Sequence, residues 1–491
     1  MFKPLAKDRW GFATAAHLFN RAGFSGTPAQ IERLASLELE EAVAHFVDYE
    51  ALADDTPNPE WAKADPDRAE KLRAARNAGE QERRVMQREF QQAERQHLIQ
   101  LRHWWLDRMA NGPRPLQEKM VLFWHGHFAT SMTKVRDAYL MWRQNDVFRR
   151  LATGNWLELL LEVAKDPAML VWLDQAQSRK EHPNENFARE VLELFTLGEG
   201  HYTEKDVTEA ARALTGWSYA RPRQEFIERP FWHDRGQKVI FGQTGNFDGE
   251  DFLKLVVAQP QAARFITAKL WKFFAGNDPS EDLANALAAE FRRSGNNFKP
   301  LLRAMFSSEA FYAPEIVRNQ VKSPVQWLVA SVRVLERDLP PPLLCVGLTR
   351  SLGQDLFAPP NVKGWDGGLS WITTSTLLAR YNEAATLVQG HLAPFAGASL
   401  ANRPKAILPA ERRRENPRLG RVDVEKIFSE QERSDKEALI AAMEKRLLQS
   451  PLKPDQQQTL RDYLAAHAEL DDTHIRNALR LVMSTPEYQL T

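Results

Sequence analysis

Two segments decide the fold: LQEKMVLFWHGHF at residues 116–128 and NENFAREVLELFTLG at residues 184–198. In the second segment Phe187, Val191 and Leu194 recur at the i, i+4, i+7 spacing that predicts the apolar face of an α-helix. Imidazole, carboxylate and carboxamide groups are threaded through both segments, and such groups are costly to bury unless they bond to one another or to a ligand. The two segments therefore predict buried helices that carry a polar site.

The rest of the chain has mainly helical patterns as well. A capping box opens a helix at Thr27-Pro28, and the charged, proline-free residues 68–109 predict one long helix or a helical hairpin. Residues 217–251 differ, because 225–227 and 238–241 are short strand candidates bounded by turns. We therefore expect a mainly α fold, with a large multi-helix bundle-like body and a small β-hairpin excursion at about 217–251.

Breaks in the pattern divide the chain into four predicted parts. Residues 1–115 form an N-terminal helical region with the long charged helix. Residues 116–391 form a central helical body that carries the motifs and the non-helical excursion. Residues 392–420, which are interrupted by prolines, predict a linker, and residues 421–491 predict a C-terminal helical cap.

The bulk composition disfavours several classes of protein. Sixty-five basic residues balance 65 acidic ones in 491 residues, so no overall field draws the chain to nucleic acid. No run approaches the roughly 20 apolar residues that span a bilayer. The single cysteine, Cys345, suits a reducing compartment and is expected to be a buried apolar residue rather than a nucleophile. Because the N-terminus lacks a signal-peptide pattern, we expect a cytoplasmic protein, and export together with a partner stays open.

His125 and His127 are the first candidates for chemistry. On a continuous helix, residues two apart point to opposite sides, so this pair could bind one metal ion only at a frayed or extended helix end. Gly126 between them favours such an end. His127 continues the apolar stripe that contains Met120 and Phe123, so it is expected to face inward. It is either a hydrogen-bonded core histidine that caps a helix, or a metal ligand or acid/base group.

The second candidate is a polar stripe formed by Asn186, Glu190 and Glu193. Apolar residues cover most of the circumference of this helix, so Glu190 and Glu193 are expected to be buried and to need partners. The available partners are His127, Arg136, Arg149 and Arg212. Two interpretations stay open, a structural ion-pair network and a carboxylate that binds metal or acts as a general base.

Other residues are predicted to surround this stripe. Arg189 would orient a carboxylate, and its i, i+4 spacing from Glu185 predicts an ion pair. His233 and Asp234 lie in the excursion and would close over the site. The complete set of predicted pocket-lining residues is His125, Asn184, Glu185, Asn186, His233, Asp234, Lys363 and Trp365.

Walker, G-x-S-x-G and H-E-x-x-H signatures are absent, but longer motifs are present. They are HLFNRAGF at 17–24, FWHGHF at 123–128, NENFARE at 184–190, LTGW at 214–217 and PNVKGW at 360–365. By these motifs the chain resembles, nearly end to end, the uncharacterised bacterial domain-of-unknown-function family 1800. The resemblance implies no established activity. It does imply a partner to consider, since genes of the family often lie beside those of a sulfatase-like, frequently exported family.

Two functions stay open. As an enzyme, a hydrolase or another acid/base or metal-assisted catalyst, the protein would use His127 with Glu190 or Glu193, and Arg189 would orient a carboxylate. A divalent metal would be bound by His125, His127 and Glu190. As a non-catalytic partner or maturation factor for a co-encoded sulfatase-like protein, the chain would use its polar residues to hold the fold and its long charged helix as a docking face.

Overall fold

The computed structural model describes residues 3–390 and 419–491. Within these residues the chain is 62% helical, with 24 α-helices and two small two-stranded antiparallel sheets. This confirms the expected mainly α fold with a small β excursion. The predicted linker at 392–420 lies outside the described residues except for its last two, and the division into four domains stays a prediction.

The first five helices form the N-terminal region. α2 begins as predicted: the Thr27 hydroxyl accepts from the Gln30 amide at 3.3 Å, and the Gln30 side chain accepts from the Thr27 amide at 3.0 Å. The charged segment is a helical hairpin that turns at Gly79, and in its second helix the buried residues begin only at Leu101. The helices span α1 (Phe12–Ala22), α2 (Pro28–Ala35), α3 (Leu39–Val47), α4 (Arg68–Asn77) and α5 (Glu80–Asn111).

The next seven helices carry the polar motifs. α6 runs without a break through Gly126, since the Phe128 amide still donates to the Trp124 carbonyl at 2.8 Å. The helix end expected near Gly126 is confirmed, since α6 ends at His127, but the backbone stays helical through both histidines. The helices span α6 (Pro115–His127), α7 (Met132–Val135), α8 (Ala138–Arg150), α9 (Trp156–Ala164), α10 (Pro167–Trp172), α11 (Glu185–Glu190) and α12 (Glu204–Ala213). α11 continues directly into a π-helix, Val191–Thr196.

Two β-hairpins follow α12. The four strands are β1 (Trp217–Ala220), β2 (Glu225–Glu228), β3 (Lys238–Ile240) and β4 (Gln243–Gly245). β1 pairs with β2 so that Trp217 lies opposite Glu228, and β3 pairs with β4 so that Lys238 lies opposite Gly245. Both strand candidates of the sequence are thus confirmed, and each is one half of a hairpin.

Twelve further α-helices complete the described fold. Seven of them precede residue 390: α13 (Gly249–Val257), α14 (Pro260–Ala275), α15 (Glu281–Arg293), α16 (Phe298–Ser307), α17 (Pro324–Val334), α18 (Pro342–Ser351) and α19 (Thr374–Gln389). Five follow: α20 (Val424–Ile427), α21 (Glu430–Ser434), α22 (Lys436–Met443), α23 (Pro454–Ala465) and α24 (Asp472–Met483). A second π-helix covers Glu444–Leu448. Short 3₁₀ turns occur at Lys7–Arg9, Tyr49–Ala51, Gln175–Gln177, Glu309–Tyr312, Gly368–Trp371 and Glu487–Gln489.

One apolar cluster connects these helices, from Leu5 to Tyr488. The C-terminal helices join it directly, because α24 packs on α19 and the Tyr488 hydroxyl lies 2.7 Å from that of Ser331. Cys345 is buried as predicted, with its Sγ 3.0 Å from the Pro340 carbonyl. Burial raises the pKa of this thiol to about 12. None of the described helices is both long enough and apolar enough to cross a membrane.

Candidate functional site

The π-helix lies within the second of the two polar segments and changes the hydrogen bonding of α11. Its wide turns pair residues five apart, and the Leu192 carbonyl accepts from the Leu197 amide at 2.9 Å. The Thr196 hydroxyl donates to the Val191 carbonyl at 2.6 Å. Turns of this kind are rare overall but frequent at functional sites. They also leave backbone carbonyls near the helix end without their usual amide partners.

Side chains from other helices donate to these carbonyls. His127 Nε2 lies 3.0 Å from the Phe195 carbonyl oxygen, and Lys269 Nζ lies 3.3 Å from that of Leu194. Gln261 similarly donates to the Leu197 carbonyl at 3.0 Å. A carbonyl oxygen can only accept, so His127 carries its proton on Nε2. The arrangement matches the first interpretation of His127, a hydrogen-bonded core histidine that satisfies a helix end.

The environment of His127 keeps its ring neutral. The side chain is 4% exposed, and burial, with the nearby charge of Lys269, lowers its pKa well below the ordinary value. Its Nδ1 has no hydrogen-bond partner among the described residues. Burial and the charge of Lys363 lower the pKa of Lys269 itself to about 8.

His125 lies on the other side of α6. Its Nε2 accepts from the Phe357 amide at 3.0 Å, and its ring packs against Trp105 and Trp365 with centroids 5.1 and 5.7 Å away. Burial lowers its pKa to about 3. Because α6 is continuous, His125 and His127 point in different directions and cannot bind one ion, which corrects the predicted metal pair.

Glu190 and Glu193 do not form the predicted ion-pair network. The Tyr202 hydroxyl donates to Glu193 at 2.6 Å, and no Lys, Arg or His within residues 3–390 and 419–491 pairs with either carboxylate. Burial raises the pKa of Glu190, and the charge of Glu193 raises it further. Arg189 pairs with Glu204 through two bonds of 2.7 Å and not with Glu185. The predicted Glu185–Arg189 pair was wrong because α12 brings a better-placed carboxylate.

A buried ion-pair network does occur, around Glu118. Its Oε1 accepts from Arg108 and Arg149, both at 2.7 Å, and its Oε2 accepts from Trp105 at 2.9 Å. Arg108 also pairs with Asp54. Burial alone would raise the pKa of Glu118, but Arg149 and Arg108 together lower it. The network joins α5, α6 and α8.

The start of α11 is held by Asn184, whose predicted pocket role is replaced by capping. Its Oδ1 accepts from the Asn186 amide at 3.1 Å, and its Nδ2 donates to the Leu173 carbonyl at 2.8 Å. The Asn186 and Glu185 side chains are exposed, and Glu185 accepts from the Thr208 hydroxyl at 3.3 Å. These residues fix the helix in place and leave its first turn open to solvent.

His233 and Asp234 attach the hairpin region to the end of α12. His233 Nδ1 lies 2.9 Å from the Thr215 carbonyl, and Asp234 accepts from Arg212 at 2.8 Å. No hydrogen bond or ion pair in the part of the chain that the structure describes links either residue to His127. Their contacts are structural, because they hold the hairpin region against the end of α12.

Lys363 and Trp365 flank Gly364 in the loop after residue 359. Gly364 has φ +84°, and a Cβ at this position would overlap the Gly126 carbonyl oxygen. The loop thus closes directly on α6, with Trp365 half-buried against His125 and Lys363 exposed near Lys269. The structure therefore brings this loop and α6 together, and the pocket-lining role of Lys363 and Trp365 stays a prediction.

No group of three or more His, Cys, Asp or Glu side chains among the described residues is placed to hold a metal ion. The predicted set His125, His127 and Glu190 is therefore not assembled. The physical reason is the continuous α6, which turns the two imidazoles apart and commits each of them to a backbone group.

The large cavity lies elsewhere. A groove of about 2340 Å³ runs between the charged hairpin α4–α5 on one side and α7, β1, α18 and α19 on the other. The hairpin residues Arg76, Met86 and Phe90 face it, whereas Val85 and Arg88, on the same helix as Phe90, do not line it. None of the sequence-predicted site residues lines the groove.

The groove carries more basic than acidic side chains. Eleven lysines and arginines line it: Lys63, Arg68, Lys71, Arg76, Arg83, Arg95, Arg102, Lys134, Arg136, Arg221 and Arg350. Six acids line it: Asp65, Glu89, Glu94, Asp137, Asp355 and Glu383. Burial raises the pKa of both Glu94 and Glu383 to about 7. Close to neutral pH these two carboxyl groups are therefore only partly ionised.

The comparisons with known proteins bear on the whole chain. A family model described as "Protein of unknown function (DUF1800)" matches residues 17–490. The chain belongs to this family. Searches of curated proteins and of solved structures gave no match. The family therefore supplies membership but no activity, and the functional argument depends on the geometry of this chain.

Sequence reasoning missed Lys269, Gln261 and the groove. Lys269 had a visible signal, since it is a lysine within the apolar run from Phe265 to Trp271, and such a lysine needs a buried acceptor. The groove had no local signal. It forms because α5 packs on α17 and α18, two helices from a distant part of the chain.

Proposed function

We propose that this protein is a non-catalytic binding partner, and that the groove beside the α4–α5 hairpin is its docking site for a co-encoded sulfatase-like protein. The observation that carries the proposal is the groove itself. It is open, it is large enough for a peptide segment, and one wall is α5, a helix that has no buried side chain before Leu101.

Exposed apolar side chains in the groove support docking. Phe90 is 46% exposed on α5, Leu343 is 71% exposed on α18 and Leu378 is 55% exposed on α19. All three line the groove. Large apolar side chains exposed to water along one groove are typical of an interaction site. An occupant that covers them would gain about 1.5–3 kcal/mol for each side chain fully buried.

The contacts of the predicted catalytic residues favour binding over catalysis. His127 is committed to the Phe195 carbonyl, and Arg189 to Glu204. Neither Glu190 nor Glu193 has a hydrogen bond to an imidazole among the described residues. A general acid/base pair needs its members within hydrogen-bond reach of each other or of a shared substrate, and this cluster does not supply that arrangement.

The test compares two faces of α5. Phe90→Asp places a charge in the groove, and Val85→Asp places the same charge on the outer face, where Val85 is 48% exposed. Binding of the purified sulfatase-like protein to full-length chain is measured by titration calorimetry. We expect Phe90→Asp to weaken binding by about tenfold or more and Val85→Asp to leave it unchanged. Equal effects, or no binding by the unmodified protein, would overturn the proposal.

A further inference from the structure

We propose that the occupant of the groove is an acidic peptide segment that also carries aliphatic side chains. This inference rests on the proposed docking function and adds the chemistry of the partner. It follows from three features of the groove: its excess of basic side chains, the lack of carboxylate partners for several of them, and the exposed apolar side chains of Phe90, Leu343 and Leu378.

Six of the eleven basic side chains in the groove are left without a carboxylate partner in the described part of the chain. Arg68, Lys71 and Arg102 pair with groove acids, at 2.7, 2.8 and 2.6 Å, and Lys134 and Arg350 are paired as well. The six that are exposed and have no carboxylate within ion-pair distance among the described residues are Lys63, Arg76, Arg83, Arg95, Arg136 and Arg221. Six such cations along one groove create a positive potential that attracts acidic side chains.

The acidic side chains in the groove offset these cations only in part, through Glu89, which is exposed and has no cation within ion-pair distance among the described residues. Asp65, Asp137 and Asp355 are already paired with groove bases. The Glu94 carboxylate accepts from the Ala138 amide at 2.6 Å, and burial and Asp137 favour its protonated form. The free surface of the groove is therefore basic although the whole chain has no net charge.

The exposed leucines favour a peptide over nucleic acid. Leu343 and Leu378 line the groove and offer contact to aliphatic side chains, and they are not platforms for base stacking. Aromatic side chains also line the groove, among them Trp61, Phe90 and Tyr219, so a single strand is the alternative occupant that the experiment separates from a peptide. The chain's own residues 391–418 have six basic and two acidic side chains, so charge disfavours them as the occupant. An acidic segment with leucine-like side chains matches both the charge and the apolar surface.

The experiment uses the full-length chain and a fluorescent synthetic peptide of glutamates and leucines, about 20 residues long, which as a helix would match the roughly 30 Å of free α5. One matched peptide replaces its glutamates by glutamine and another replaces its leucines by serine. A single-stranded oligodeoxynucleotide of similar length is the third probe. Binding is measured by fluorescence anisotropy at low and at physiological salt, since exposed charge pairs weaken as salt rises.

Two double variants with the same net charge test the location. Arg76→Glu with Arg95→Glu reverses charge inside the groove, and Arg73→Glu with Arg88→Glu does so on residues of the same two helices that do not line it. We expect the first pair to weaken binding of the acidic peptide by about tenfold or more and the second pair to have little effect. Both substituted peptides should also bind at least about tenfold more weakly.

Three outcomes would overturn the inference: a glutamine peptide that binds as tightly, an oligonucleotide that binds more tightly than the peptide, or equal effects of the two double variants. If these occur while Phe90→Asp still releases the sulfatase-like protein, docking in the groove stands and its acidic chemistry is wrong. If the acidic peptide binds in the groove but the sulfatase-like protein does not bind, the chemistry stands and the proposed partner is wrong.

Discussion

His127 Nε2 donates to the carbonyl oxygen of Phe195 across 3.0 Å, and this bond joins α6 to the end of the π-helix. Two motifs that are far apart in the sequence are thus complementary: one exposes a backbone acceptor, and the other supplies the donor. The π-helix can persist inside the core because side chains replace the amide donors that its wide turns do not provide. The polar residues of these motifs therefore have a structural role: they stabilise a π-helix end, which an ordinary α-helix would not require.

The first prediction concerns this bond. His127→Phe keeps an aromatic ring of similar size and removes the N–H, which leaves the Phe195 carbonyl buried without its partner. We expect the free energy of unfolding to fall by about 1–3 kcal/mol, measured by urea denaturation. Partner binding at the groove should be unchanged. A variant of normal stability that had lost binding or an activity would show instead that His127 acts on a ligand.

The second prediction concerns Glu118, the acceptor for two buried arginines. Glu118→Gln removes the negative charge, which leaves Arg149 buried without a carboxylate partner and Arg108 with Asp54 alone. We expect a loss of about 3–5 kcal/mol in the free energy of unfolding. Glu80→Gln is the matched control, because Glu80 pairs with Arg84 on the surface of α5. An exposed pair contributes at most about 1 kcal/mol, so a similar loss in both variants would contradict the buried network.

Much of the fold could be predicted because its signals are local. The Thr27 capping box and the strand at 225–227 depend on neighbours within a few residues, and both were confirmed. Of the two interpretations of residues 68–109, one long helix or a hairpin, the structure has two helices joined at Gly79. The predictions failed where residues that are distant in the sequence determine the local structure. Gly126 correctly indicated a helix end, because α6 ends at His127. It did not indicate that the backbone stays helical through both histidines, or that the loop containing Gly364, from a distant part of the chain, packs against the helix at this point.

The candidate site was harder to predict for the same reason. The prediction that Glu190 and Glu193 share one stripe assumed regular α-helical spacing, and the π-helix changes that spacing from Val191 onwards. The sequence correctly placed His127 facing inward but could not show whether it faces a ligand or a carbonyl. The long charged helix was correctly seen as an available surface. That it forms one wall of a groove depends on tertiary packing alone.

The third prediction is a pH dependence of stability that originates at Asp166. This residue caps α10 through Oδ1, which accepts from the Met169 amide at 3.1 Å, while its buried Oδ2 has no partner among the described residues. Burial raises its pKa to about 7. Between the unfolded value near 4 and pH 7 the folded state therefore binds more protons than the unfolded state. The contribution of the protonated Asp166 carboxyl to stability is therefore present at low pH and is lost as pH rises through 7.

Asp166→Asn should remove this contribution while keeping the cap. The quantity to compare is the free energy of unfolding of the variant minus that of the unmodified protein. We expect this difference to be higher at pH 8 than at pH 5 by at least about 1 kcal/mol, since one pKa unit corresponds to about 1.4 kcal/mol. Asp471→Asn is the control, because Asp471 is an exposed cap whose pKa is lowered by its bond to the His474 amide. Parallel pH profiles for unmodified protein and Asp166→Asn would contradict the assignment.

The last prediction separates two glycines that face each other. Gly364 has φ +84°, and a methyl group there would overlap the carbonyl oxygen of Gly126, whereas a methyl group on Gly126 would meet no atom within 4 Å. Gly364→Ala should therefore destabilise the protein by at least about 1–2 kcal/mol from the left-handed backbone alone. Gly126→Ala should stabilise it by about 0.5–1 kcal/mol, because Gly126 lies within a helix.

Thermal unfolding of the two variants beside the unmodified protein measures both effects. Gly126 lies in the motif between the two histidines, but the structure predicts that the helix tolerates alanine there and that the loop that closes on it at Gly364 does not. Equal destabilisation by both substitutions would show that α6 has to bend at Gly126, and the assignment of His125 and His127 to opposite sides would then be wrong as well.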